Sequence, residues 1–279
     1  PEGPPRLHPM ETLLHRPLEP GILEVRLNRP GRLNALNAAM VTELRQLFAE
    51  MNHDRQTRVV ILAGSGRGFC AGADLQEPAA PGSLPGTEGL SPLGFVYKYQ
   101  EALAQAMLAI HECDKPVIAA VHGPAVGGGL GLALASDVRI AADDARFGAV
   151  FIKTGLSACD VGTSYFLPRL IGAGPAAELM LTGRIVDAAE ARSLKLVSNV
   201  VEPDALDTAA LAMARAIAAN AEYDVWMTKK GLWSAIDAPS LRHAMEMENR
   251  TQVLGTFTGC FEEAARAFAE KRPPRWKPL

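Results

Sequence analysis

The sequence predicts an α/β fold whose last part turns wholly helical, and three observations carry this expectation. Leu23, Val25 and Leu27 alternate with Glu24, Arg26 and Asn28, the period-2 signature of a half-buried strand. Val59 to Leu62 and Val117 to Val121 are short apolar runs, each followed by glycine, as expected of buried strands. Between the first two of these strands, Met40, Leu44, Leu47, Phe48 and Met51 recur at helical spacing and give one apolar face.

Taken in order, Arg29-Pro30-Gly31 closes the first strand as a turn, and Asn37 stands where a helix N-cap belongs. Val59 to Leu62 ends at Ala63-Gly64, and a Gly-rich stretch runs to Asp74. Glu77 to Pro92 is Pro- and Gly-rich without hydrophobic period, a loop of the length that lids and pocket walls have. A helix is expected over Tyr97 to Glu112, broken by Lys115-Pro116. Gly127-Gly128-Gly129 leads into a helix through Leu130, Leu132 and Leu134, and Asp137 to Ala141 reads as a strand. A helix is expected to begin near Asp160. From Gly174 onward the chain reads as mostly helical, with Ala-rich runs over Ala205 to Ala219 and Leu241 to Ala269 and a short β element near Val197 to Val201. This divides the chain into residues 10–200, a core of alternating strands and helices that carries the ligand site, and 201–279, a helical region for oligomerisation.

Composition narrows the function classes. Of 279 residues, 48% are hydrophobic and 21% charged, enough to build a substantial core. A net charge of −3 gives no cationic surplus for a phosphate backbone, so nucleic acid is not an expected partner. The basic cluster Lys271, Arg272, Arg275 and Lys277, interrupted by Pro273 and Pro274, reads as a solvated tail. Cys70, Cys113, Cys159 and Cys260 are far apart, with no C-x-x-C pair and no His at ligand spacing. They read as free thiols with buried structural roles, in a reducing compartment, and no metal site is expected. Val117 to Ser136 carries no Asp, Glu, Lys or Arg, yet Pro124 and five glycines argue for strand, turn and helix rather than a membrane span. Pro1 to Pro9 lack the apolar core of a signal peptide, and a cytoplasmic location follows as an expectation.

No nucleotide-binding motif fits. Gly64-Ser65-Gly66-Arg67-Gly68 fails the G-x-G-x-x-G spacing, Gly127 to Gly131 has no acidic residue at ribose distance, and neither a phosphate-binding G-x-x-x-x-G-K-[ST] nor a G-x-S-x-G elbow occurs. Two segments together fit a different chemistry: Phe69-Cys70-Ala71-Gly72-Ala73-Asp74-Leu75 and His122-Gly123-Pro124-Ala125-Val126-Gly127-Gly128-Gly129-Leu130. Each follows a buried strand and is built of small residues that let a ligand reach the backbone. A helix starting at Gly128 aims free N–H groups and its positive end at an oxygen, and two donors from separate segments can hold a carbonyl oxygen that becomes negative during reaction. Taken singly, each segment is better explained by tight helix–strand packing.

With their surroundings, these segments resemble the crotonase family, also called the enoyl-CoA hydratase/isomerase family. The matching pieces are Leu27-Asn28-Arg29-Pro30 with Asn34-Ala35-Leu36, Phe69 to Leu75, Gly123 to Gly129, Ala135-Ser136-Asp137, Ala145-Arg146-Phe147-Gly148, Gly155-Leu156, Pro168-Arg169-Leu170-Ile171-Gly172 and Ala267-Phe268-Ala269-Glu270-Lys271-Arg272, in order from about Leu23 to Pro274. The resemblance implies an α/β, crotonase-like spiral of ββα units with a helical C-terminal trimerisation region, and a homotrimer or dimer of trimers. It implies an acyl-CoA or enoyl-CoA thioester ligand; coenzyme A is part of the substrate and no separate cofactor is implied. By motif position the oxyanion donors are the amides of Ala73 and Gly128. Arg32 to Ala35 and Ala71 to Leu75, Asp74 included, line the coenzyme A, with Gly127, Gly131 and Phe151 at the substrate. Arg32 is placed to meet a phosphate, or else is a surface arginine without a partner.

The departures from the family pattern bear on chemistry. Typical hydratases add water with two glutamates, and at those positions this chain has Gly131 and Phe151, neither of which transfers protons. Asp160 is the candidate replacement, because some family members, such as dienoyl-CoA isomerases and naphthoate synthases, place an aspartate in this stretch. Its other open role is N-cap of the following helix. Asp74 and Glu77 are weaker proton-transfer candidates, and both are also open to a solvent-facing role. Asp137 is expected to tie local backbone. The sequence therefore leaves two function classes: an acyl-CoA enzyme that stabilises a thioester enolate without the hydratase glutamates, and a non-catalytic acyl-CoA binder.

Overall fold

The computed structural model describes residues 10–277, so the reading of Pro1 to Pro9 falls outside the described residues. The chain opens with β1 (Leu13–Glu19) and β2 (Ile22–Leu27). Then follow α1 (Ala38–Met51), β3 (Val59–Gly64), α2 (Pro92–His111), β4 (Val117–Val121), β5 (Pro124–Val126), α3 (Gly128–Ala135), β6 (Val138–Ala142) and β7 (Arg146–Gly148). Next come α4 (Thr163–Ile171), α5 (Ala173–Thr182), β8 (Ile185–Asp187), α6 (Ala188–Ser193) and β9 (Asn199–Val201). Four helices close the chain: α7 (Leu206–Ala218), α8 (Glu222–Ile236), α9 (Leu241–Gly255) and α10 (Cys260–Ala269).

Among the described residues, β1-β2-β3-β4-β6-β9 form a six-stranded sheet and β5-β7-β8 a three-stranded one. β2 through β9 pair in parallel in the larger sheet, and β1 adds antiparallel at its edge. The sequence reading did not include β1. Pro17 lies in it, tolerated because an edge strand can spare an N–H, and the register shifts between Pro17 and Glu19. β2 was expected to be half-buried, but Glu24 on its polar side is buried too, held by Arg16 at 2.6 Å and Arg26 at 2.8 Å.

The inner face of the large sheet packs on α1 and α2 through Leu44, Leu47, Phe48, Met107 and Ile110. Burying one such side chain contributes about 1.5–3 kcal/mol. Asn37 caps α1 as expected, its side chain accepting from the amide of Met40 at 3.0 Å. α2 starts earlier than the periodicity indicated. Ser91 caps it, and Pro92 stands in its first turn, where its fixed φ suits a helix start. The outer face is covered by α7, whose Leu206, Ala210 and Ala214 pack on Val59, Ile61, Ile118 and Ile140. The helical region after residue 200 thus begins with a helix that belongs to the sheet layer.

α8 is tied back by Lys229, which reaches the Asp137 carboxylate at 2.8 Å and donates to the carbonyl of Lys115 at 3.0 Å. Asp137 also accepts from the amide of Val117 at 2.8 Å, the local backbone role expected of it. α9 buries none of its residues, and Leu241, Val253, Leu254, Phe257, Phe261 and Phe268 stand exposed on and around α9 and α10.

Candidate functional site

The site grows from the loops that leave β3 and β4. Residues 69–74 run as a ribbon between two neighbours. On one side the amides of Phe69 and Cys70 donate to the carbonyls of His122 and Pro124 at 2.8 and 2.9 Å. On the other, Leu36 donates to Gly72 O at 2.7 Å and accepts from the amide of Asp74 at 3.0 Å. Backbone groups in an extended ribbon alternate sides. With Gly72 O and Asp74 N both turned toward Leu36, the amide of Ala73 between them faces away.

The second segment arrives by the same stitching. The amide of Val126 donates to Cys70 O at 3.1 Å, and that of Gly127 to Gly148 O at 2.9 Å. Gly127 turns the chain at φ +55° and Gly128 opens α3. Gly72 lies against this turn at φ +90°, and a Cβ on it would meet Val126 O at 2.9 Å and Gly128 N at 3.3 Å. Only glycine permits the two segments to come this close. Among the described residues, neither the amide of Ala73 nor that of Gly128 has a hydrogen-bond partner. Two unpaired donors, one on an exposed residue and one at the positive end of a helix, make up a cradle of the chemical type that can favour an oxygen gaining negative charge.

The residues placed near this cradle by sequence fall into two groups. Leu75 is exposed and Ala71 half-buried along the ribbon, as a lining requires. Arg32 is exposed, and its guanidinium donates to the side-chain oxygen of Gln76, so it is not an arginine without a partner. Ala35 is buried, and its carbonyl accepts from Arg29 at 2.6 Å. Phe151 is buried, with Cε1 3.8 Å from where a Cβ of Gly127 would stand, and so walls the turn with apolar surface.

Asp74 is corrected. Its carboxylate is not solvent-facing. It is buried, paired with Arg29 at 2.8 Å, and accepts the amides of Gln76 and Glu77 at 3.0 Å each. Burial alone would raise this carboxyl, but the Arg29 hydrogen bond and the two amides outweigh burial and hold it below the usual carboxylate range. Glu77 pairs with Arg29 as well. Arg29 therefore clamps the far end of the ribbon, a role that the sequence did not single out. Asn34 does the same from below: fully buried at φ +55°, it accepts the amide of Arg29 and donates to Ser65 O and Gly68 O.

Gly131 is buried on α3, and the space its side chain would need is filled. A Cβ there would meet Val161 Cγ2 at 2.8 Å, Val161 O at 3.2 Å and Met107 Sδ at 3.4 Å. Gly131 is thus a tightly packed position on α3. Asp160 precedes that Val161. Its expected capping role is corrected, because the N-cap of α4 is Gly162, with no side-chain cap. The Asp160 carboxylate instead accepts from the amide of Val161 at 2.8 Å and from the side-chain amide of Gln100 on α2.

The cysteines divide. Cys70, Cys113 and Cys260 are buried as expected, with burial pushing the Cys70 thiol up to about 12, whereas Cys159 is exposed. Among the described residues there is no group of three or more His, Cys, Asp or Glu side chains able to hold a metal ion.

Residues 18–278 match the family model described as enoyl-CoA hydratase/isomerase. The chain belongs to the enoyl-CoA hydratase/isomerase family. It is therefore a member of an enzyme family, and the fold is the crotonase fold. A probable enoyl-CoA hydratase of Mycobacterium leprae is 43% identical over 91% of this chain and 86% of its own length. The 1,2-epoxyphenylacetyl-CoA isomerase of Escherichia coli is 33% identical over 96% of this chain and 98% of its own. Among solved structures, a probable enoyl-CoA hydratase/isomerase from Mycobacterium abscessus superposes with a TM-score of 0.90 at 39% identity, covering 96% of this chain and 99% of its own. A monofunctional enoyl-CoA isomerase from Mycobacterium smegmatis is 40% identical at a TM-score of 0.69, over 84% and 98% of the two chains.

Proposed function

We propose that this protein is an acyl-CoA enzyme that holds a thioester carbonyl between the amides of Ala73 and Gly128 and moves protons through an enolate. The observation that carries this reading is the pair of unpaired amides held together by Gly72. As a base takes the proton from the α-carbon, the C–H electron pair passes onto the thioester oxygen, and both amides strengthen their hydrogen bonds to the growing charge. Asp160 is the base. Its carboxylate leaves the step as a carboxylic acid and returns the proton to the γ-carbon, which shifts the double bond and consumes nothing. The monofunctional enoyl-CoA isomerase among the structural neighbours supports this reaction type. Hydration is not part of the proposal, because it needs a group that activates water, and Gly131 and Phe151 occupy the two glutamate positions. Coenzyme A enters as part of the substrate, and no further cofactor is invoked.

The test is direct. With a β,γ-enoyl-CoA in deuterium oxide, the protein is expected to shift the double bond and to exchange α-protons; with crotonyl-CoA it is expected to add little or no water. Robust hydration would overturn the reading. The filled space at Gly131 also favours a second one, a non-catalytic acyl-CoA binder, for which tight binding without exchange is the expected outcome.

The same proposal includes a homotrimer or a dimer of trimers. α9 buries none of its residues within its own chain, and Val253, Leu254, Phe257 and Phe261 leave exposed apolar surface of the kind that interfaces cover. Among the described residues, no helix is long and apolar enough to cross a membrane. A cytoplasmic location is proposed on four cysteines that form no disulfide.

A further inference from the structure

Asp160 is held in an unusual way. The amide of Val161 and the side-chain amide of Gln100 both donate to the same oxygen, Oδ1. Among the described residues, the other oxygen, Oδ2, has no hydrogen bond or ion pair. The backbone that directs this carboxylate is also constrained. Val161 stands at φ +40°, a region that a β-branched residue enters only when its surroundings hold it there. What holds it is α3, where the missing side chain of Gly131 leaves room for Val161 Cγ2 and O. The position that carries a glutamate in typical hydratases is therefore occupied by the support of Asp160.

We infer that Gln100 is a positioning residue for the proton transfer: with the Val161 amide it pins Oδ1 of Asp160, fixing the carboxylate plane and leaving Oδ2 as the oxygen that takes and returns the proton. This rests on the reading of Asp160 as the base. Gln100 is suited to the task because it reaches from a different element, the N-terminal half of α2, and so fixes an angle that the Val161 amide alone leaves free. A side-chain amide is a planar, uncharged donor, and so orders the carboxylate by direction alone. Gln100 acts through Asp160, so its removal is expected to act on turnover rather than on binding.

The test uses the full-length protein, a medium-chain β,γ-enoyl-CoA as probe, and two readouts, double-bond shift and α-proton exchange in deuterium oxide. Gln100→Met keeps length and helix propensity but removes the donor. It is expected to lower kcat roughly tenfold to a hundredfold, the scale on which misplacing a reacting group acts, with KM within about twofold and the melting temperature unchanged. Gln100→Lys restores a donor but brings a charge, and is expected to recover only part of the lost kcat. Gln100→Met with parental kcat, or with a loss confined to KM or to melting temperature, would overturn the inference while leaving the enolate reading intact, provided Asp160→Asn is inactive. An active Asp160→Asn, or a parent protein that moves no protons on the probe, would overturn the reading of Asp160 and this inference with it.

Discussion

Placing a glutamate at position 131 is the substitution that the resemblance to hydratases invites, and the structure argues that it fails. A Cβ at 131 meets Val161 Cγ2 at 2.8 Å and Val161 O at 3.2 Å, so Val161 must move. Overpacking of this kind costs about 1–3 kcal/mol. Replacing a glycine inside α3 returns about 0.8–1.0 kcal/mol of helix propensity, so Gly131→Ala alone comes out between neutral and about 2 kcal/mol unfavourable. Glutamate adds a carboxyl in a buried place without a partner, which pushes the net loss to about 2 kcal/mol or more. For a chain of this size that lowers the melting temperature by about 3–4 °C or more. Displacing Val161 also moves Asp160. Gly131→Glu is therefore expected to lose proton exchange on a β,γ-enoyl-CoA and to gain no crotonyl-CoA hydration. Adding Val161→Gly, which relieves both the clash and the positive φ, is expected to return part of the melting temperature. Thermal unfolding and the two turnover assays, run side by side, check this. A Gly131→Glu protein with parental melting temperature and brisk hydration would refute the packing argument.

Three further outcomes are expected. Gly128→Pro removes one cradle donor at the first position of α3, although its Cβ would press on Leu36 Cδ1 at 2.8 Å, and in the folded variant kcat on an enoyl-CoA should fall by about 10²–10³, more than KM rises. Arg29→Met strands the buried Asp74 carboxylate and should cost about 3–5 kcal/mol near neutral pH. Since the folded-state Asp74 carboxyl lies below its unfolded value, the stability it contributes is present above about pH 4 and fades as pH falls through the lowered value. The gap between parent and variant in urea melts should therefore narrow below about pH 4, and a constant gap would contradict the ion pair's role. Light scattering at micromolar concentration should report the mass of three or six chains, whereas the mass of one chain would remove the interface assigned to α9 and α10.

Much of this architecture was legible because its signals are local. β2, β3, β4 and α1 follow from periodicity, and the cap at Asn37 from its residue type. The cradle was legible in two glycine-rich segments and their likeness to a family, although which amides lack partners became visible only when the ribbon's alternation against Leu36 was seen. β1 was missed because Pro17 and a register shift break its alternation. The start of α2 was missed because Pro92 closes a Pro-rich loop and opens a helix at once. Asp160 was read as a possible cap because sequence does not flag Val161 at positive φ, which delays α4 to Gly162. Asp74 looked available because its partner, Arg29, is 45 residues away in sequence. Gln100 carried no signal, since its contact with Asp160 spans 60 residues and depends on how α2 lies beside the loop before α4.

The central claim is that the amides of Ala73 and Gly128 grip a thioester oxygen. Isotope-edited infrared spectroscopy of a bound acyl-CoA labelled at its carbonyl carbon tests this directly, because hydrogen bonds to the oxygen weaken the C=O bond. In the parent protein the carbonyl stretch should fall well below its value in water, and in Gly128→Pro it should return most of the way. A bound thioester whose stretch in the parent equals or exceeds that in water would contradict the account.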